Sequence, residues 1–140
     1  MNTADYLLEC GALKSTALIA GKTHYTYADL RSACERVAGE LILAGVIPGD
    51  RVGILGNNSL FWVAAYLATL KLGAIAVPFA TTLKPEEVEG MASFVQCKVT
   101  CAERRMLRVY SSVLTGAVIY DDVLQVAGKS DWPLAETIHD

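Results

Sequence analysis

Between Leu60 and Ala80 the chain carries a single charged side chain, Lys71. A run this apolar has to be buried, in lipid or in protein. Gly73 breaks it in the middle and Pro78 near its end. Each part is then shorter than the roughly 20 residues of a membrane-spanning helix. A buried helix over about 60–72, closed by Gly73, accounts for the first part. A buried strand over 74–77, stopped by Pro78, accounts for the second. No membrane span is expected.

The flanking sequence carries the same alternation. Residues 17–20 and 23–27 are two strand-like runs around Gly21-Lys22 and read as a hairpin. The period then changes. Leu30, Ala33, Cys34, Val37, Ala38, Leu41 and Ile42 recur at helical spacing, with polar residues between them. Thr26 and Asp29, three apart just before this periodicity, form a capping-box pattern. Gly45 and Pro48-Gly49 mark the helix end. Residues 51–55 predict a strand, and Asn57-Asn58-Ser59 offers cap chemistry for the apolar helix. Pro85, followed by Glu86 and Glu87, starts a helix over about 85–94. A strand over 98–101, a short helix over 103–110 and a strand over 117–120 complete the series. The expected fold is therefore α/β, a mostly parallel sheet with helices on both faces and an amino-terminal β-hairpin. One domain is expected over 1–140, with an ordered core over about 17–120 and a tail over 121–140.

Composition excludes some partners. The net charge is −3, and Arg104, Arg105 and Arg108 are the densest basic group. No nucleic-acid groove is expected from so few cations. Hydrophobic residues make up 53% and charged residues 19%. That is more apolar than an ordinary soluble domain, where about 25% of residues are charged. The surplus asks for a covering of lipid or further protein. Cys10, Cys34, Cys97 and Cys101 stand among apolar neighbours and read as reduced core thiols. They point to a cytoplasmic location, and the start of the chain lacks the pattern of a signal peptide.

Candidate chemistry is thin. Gly21-Lys22-Thr23 and Gly128-Lys129-Ser130 contain G-K-[ST], but Thr16 and Val123 stand where a phosphate loop needs its first glycine. Gly53 and Gly56 bracket the end of a strand, yet Arg51 occupies the first glycine position of a dinucleotide fingerprint. Strand–helix packing explains these glycines as well as a nucleotide does. His24 and His139 have no obvious nucleophile nearby. Asp121-Asp122 could hold a metal, or cap a turn. The residues by themselves leave open a non-catalytic interaction module or a small nucleotide-binding domain.

Several motifs in order carry a resemblance. Tyr25-Thr26-Tyr27-Ala28-Asp29-Leu30 is similar to the T-Y-x-[ED]-L segment of adenylate-forming enzymes. Pro48-Gly49-Asp50-Arg51-Val52 and Asn57-Asn58-Ser59 resemble the same family's G-D-x-V strand and N-S turn. Leu70 to Pro78 resembles its L-K-x-G-A-x-x-V-P motif, and Pro85–Val88 and Lys98–Thr100 continue in register. The agreement runs from about Ala17 to Tyr120.

This resemblance implies an amino-terminal piece of an acyl-CoA synthetase or related ligase, truncated before the family's phosphate loop. The activity implied for the whole enzyme is ATP-dependent formation of an acyl-adenylate and then a thioester, as in fatty acid metabolism. An amino-acid or aryl-acid adenylation domain of a peptide or polyketide synthetase is the alternative. Phe79-Ala80-Thr81-Thr82 departs from the usual P-L-N or P-I-D continuation and leans towards acyl or aryl acids. Lys84 stands where the family usually has a helix cap. The matched motifs are scaffold in the family, so the resemblance assigns no catalytic, cofactor-binding or metal residue to this chain. ATP and Mg²⁺ are implied for the whole enzyme only, as is coenzyme A or a carrier protein. The piece alone should lack activity. Its partners are then the remainder of the enzyme and, for the isolated chain, other copies of itself.

Overall fold

A computed structural model describes residues 16–20, 23–57, 59–110 and 117–125. Strands β1 (Thr16–Ala20) and β2 (Thr23–Thr26) pair antiparallel, with a register shift between Thr16 and Leu18. The Gly21-Lys22 turn lies outside the described residues. Helix α1 follows at once, over Tyr27–Leu43. Tyr27 therefore opens the helix instead of ending the strand. The capping box is fully formed. The Asp29 N–H donates to Thr26 Oγ1 at 3.1 Å, and the Thr26 N–H donates to Asp29 Oδ2 at 2.9 Å. Gly45, at φ 85°, takes the left-handed conformation that ends the helix.

Four strands joined by three helical connections then build the main sheet. Its strands are β3 (Arg51–Leu55), β4 (Ile75–Phe79), β5 (Val99–Ala102) and β6 (Ala117–Tyr120). They lie in the order β4-β3-β5-β6 and all pairs are parallel. Helix α2 (Leu60–Lys71) joins β3 to β4, and α3 (Pro85–Val95) joins β4 to β5. A 3-10 turn (Arg104–Met106) and the short α4 (Leu107–Tyr110) follow β5. Of the candidate caps before α2, Ser59 is used: its Oγ accepts the Trp62 N–H at 3.1 Å. Gly73 closes α2 at φ 71°, and its N–H donates to the Leu70 carbonyl.

Two expectations change here. Strand β4 runs through Pro78 to Phe79, and it is not a buried strand. It is an edge of the sheet, where proline's missing N–H breaks no ladder bond. Ile75 is 48% exposed, and Phe79 is the residue of β4 that is buried.

Apolar residues gather on both faces of the sheet. One core joins Leu30, Val37 and Leu41 of α1, Phe61, Ala64 and Ala68 of α2, and Val52, Ile54, Val99, Cys101 and Ile119 of the strands. The other joins Leu55, Phe79 and Ala102 to Val88 of α3 and Tyr110 of α4. Helices therefore cover both faces, as the alternation predicts. The small residues Ala33, Ala64, Ala65 and Ala68 let α1 and α2 approach closely. Residues Asp121–Gln125 form a second 3-10 turn whose Val123 and Leu124 pack on the first core. The buried Arg36 of α1 donates to the Val123 carbonyl at 3.3 Å. No described helix is long and apolar enough to cross a membrane.

Helix α3 is the least embedded. Lys84 cannot cap it, but Glu87 supplies half of a capping box by accepting the Lys84 N–H at 3.1 Å. Among its described side chains Val88 is the buried one, while Phe94 is 89% exposed. At the amino end of the sheet Lys98 Nζ bonds the Gly45 carbonyl at 2.6 Å and pairs with Asp50 at 3.2 Å. The Ile47 N–H, and then Lys98, hold the Asp50 carboxyl below its usual range.

Candidate functional site: the carboxyl ends of the strands

In an open parallel sheet, ligands bind outside the carboxyl ends of the strands where the strand order reverses. Here that point lies between β3 and β5, because the chain leaves β3 towards β4 on one side and β5 towards β6 on the other. Gly53 and Gly56 sit on β3 and just after it. A Cβ on Gly53 would lie 2.7 Å from Phe79 Cε2 and 3.2 Å from Thr100 Oγ1. A Cβ on Gly56 would lie 2.5 Å from Glu103 Oε1 and 2.8 Å from its Cγ. Both glycines thus make room for neighbouring side chains.

The group that fills the switch point is the Glu103 carboxylate, only 6% exposed. Its Oε1 accepts the Asn57 N–H, and its Oε2 pairs with Arg105 Nε at 2.7 Å. This carboxylate, already paired with Arg105, fills the space above Gly56 and takes up the Asn57 N–H that a phosphate would need. As built, this turn is filled and is not shaped as a phosphate cradle. Nor do three His, Cys, Asp or Glu side chains converge anywhere among the described residues.

Beside the switch point lies an open cleft of about 470 Å³. Gly56, Asn57 and Trp62 form one side; Pro78 to Thr82, the loop after β4, form the other. None of these side chains is charged. Trp62 is stacked on Tyr66, with ring centroids 5.6 Å apart and 6° between planes. Thr81 Oγ1 donates to Asn57 Oδ1 across the cleft at 3.1 Å. Tyr110, 2% exposed, donates its hydroxyl to the carbonyls of Thr81, at 3.1 Å, and Leu83.

The other candidates are placed elsewhere. Asp121 accepts the Arg104 N–H at 2.8 Å, and Asp122 pairs with the Arg104 guanidinium at 2.5 Å. That guanidinium also lies 4.0 Å from the centroid of the Tyr120 ring. This pair therefore caps a turn. Cys97 and Cys101 belong to different cores, and burial pushes the Cys101 thiol up to about 12. His24 is exposed on β2. His139, Cys10 and residues 127–130 lie outside the described residues. Sequence reasoning missed Glu103 and Tyr110. Their partners are 46 and 27–29 residues away, and local spacing holds no trace of them.

A family model described as AMP-binding enzyme matches residues 11–133. The chain belongs to the AMP-binding enzyme family. It is 33% identical over 117 residues to a 3-hydroxybenzoate–CoA/4-hydroxybenzoate–CoA ligase of Thauera aromatica, covering 81% of this chain and 22% of that one. It is 30% identical over 122 residues to a probable non-canonical nonribosomal peptide synthetase of Salinispora arenicola, covering 87% of this chain and 2% of that one. Among solved structures, the inhibitor-bound N-terminal domain of FACL13 from Mycobacterium tuberculosis superposes with a TM-score of 0.81 at 25% identity. The match covers 100% of this chain and 39% of that one. A benzoate CoA ligase from Burkholderia xenovorans shares the fold, with a TM-score of 0.83 at 21% identity over 98% of this chain and 30% of that one. The chain spans about a fifth of the length of the Thauera relative. The motifs from Tyr25 to Thr100 therefore belong to the family they resemble, and their residues here build elements and cores.

Proposed function

We propose that this chain is the amino-terminal scaffold of an ATP-dependent, AMP-forming ligase that joins a carboxylic acid to a thiol. The match of the family model over residues 11–133 carries this reading. The aryl-CoA ligase relative favours coenzyme A as the thiol and an aryl or acyl acid, as in fatty acid metabolism, as the substrate. An adenylation domain that loads a carrier protein is the second reading, supported by the peptide synthetase relative. In either case residues outside this chain bind ATP and Mg²⁺, and no residue of the chain is catalytic. The division into a core over 17–120 and a tail over 121–140, whose first residues 121–125 pack back on that core, belongs to the same proposal, as does a cytoplasmic location, which the thiols of Cys97 and Cys101 support.

Sequencing the transcript beyond the Asp140 codon tests this reading. Continuation into a Ser/Thr/Gly-rich loop is the expected result; an in-frame stop there overturns it. The exposed apolar residues Leu43, Ile47, Ile75 and Phe94 would be covered by the rest of the enzyme. Without that cover, we expect the isolated chain to self-associate. Its elution volume should fall as concentration rises, and a monomeric elution at every concentration contradicts this.

A further inference from the structure

The segment that follows β5 touches both sides of the cleft. At its start, Glu103 accepts the Asn57 N–H and keeps the space above Gly56 filled. At its end, Tyr110 donates to the Thr81 and Leu83 carbonyls on the opposite side. The two sides are tied to each other by the Thr81 to Asn57 hydrogen bond. Glu103 is itself held by Arg105, within the same segment. The contacts thus form a closed circuit that runs from Arg105 through Glu103, Asn57 and Thr81 to Tyr110.

We infer that residues 103–110 are a two-point clamp that sets the width of the cleft, with Glu103 and Tyr110 as its positioning residues. Both side chains are nearly fully buried, so each contact is shielded from water on the clamp's own side. A loop such as 80–84, with few buried side chains of its own, otherwise opens at low cost. The clamp therefore presents a preformed site, with the uncharged side chains of Asn57, Thr81 and Trp62 at fixed separation. This inference does not depend on the ligase reading, since it concerns the described residues alone.

The test uses the full chain with Trp132→Phe, which leaves Trp62 as the single indole reporter on the cleft. Tyr110→Phe keeps the ring in its core and removes only the hydroxyl. We expect amide exchange at Leu83, whose N–H donates to the Ala80 carbonyl, to rise roughly tenfold, the effect of losing the hydroxyl's part-buried hydrogen bonding. Exchange within 52–55 should stay unchanged. Glu103→Ala should raise exchange at Asn57 by a similar factor. Glu103→Gln, which retains an acceptor for the Asn57 N–H, should raise it less. Acrylamide quenching of Trp62 should increase in both Tyr110→Phe and Glu103→Ala. Equal acceleration at Leu83 and across 52–55 in Tyr110→Phe would mean a purely global role and overturn the inference. So would Trp62 quenching that neither variant changes.

Discussion

Replacing Gly53 by valine should cost about 3 kcal/mol, near the upper end for overpacking a core. In a domain of this size that lowers the melting temperature by on the order of 15 °C. The reason is local and geometric. Gly53 sits in the middle of β3, which pairs with β4 on one side and β5 on the other. A Cβ there would meet Phe79 Cε2 at 2.7 Å, and Phe79 is 3% exposed, with little room to retreat. Valine ordinarily suits a strand better than glycine, which weakens one. Intrinsic preference therefore predicts a gain, and packing predicts a loss. Packing should win because the obstructing ring is itself enclosed by the second core. Phe79→Leu in the same chain relieves the clash and should recover about half of the lost stability, so the two changes are strongly non-additive. Urea unfolding of the two single variants and the double variant checks this. A Gly53→Val chain as stable as the parent, or effects that simply add, would contradict the packing account.

Most of the elements were legible in the sequence because their signals are local. Thr26 and Asp29 cap each other across three residues. Ser59 caps the turn it begins, and Gly73 ends the helix it follows. The apolar run from 60 to 80 was readable as helix then strand for the same reason. What stayed hidden is set by pairing between distant segments. Within residues 75–79 only Pro78 hints at an edge; which strand lies there follows from β5 crossing over to the far side of β3. The same crossing brings Glu103 above Gly56 and Tyr110 against the loop after β4. The glycines of β3 were visible, but their reason was not, because Phe79 and Glu103 reach them through the sheet. The family motifs named the family and the elements on which they lie, and were silent about the cleft.

The apolar surplus also takes on a definite meaning. Part of it is spent on two cores, one on each face of a four-stranded sheet. The remainder stands at the surface, at Leu43, Ile47 and Phe94 above all. Under the proposed function, the rest of the enzyme would cover these residues.

The second large effect is all-or-none, and it bears on the central claim that this chain is scaffold and not the nucleotide site. The Glu103 carboxylate occupies the position at the strand switch where an α/β domain would cradle phosphate. The measurement is isotope exchange between pyrophosphate and ATP, catalysed by the purified 140-residue chain with Mg²⁺ and, in turn, benzoate, 4-hydroxybenzoate and octanoate. The account predicts exchange indistinguishable from that of the heat-denatured chain with every acid. Exchange above that background with any one of them, lost again on denaturation, would contradict it.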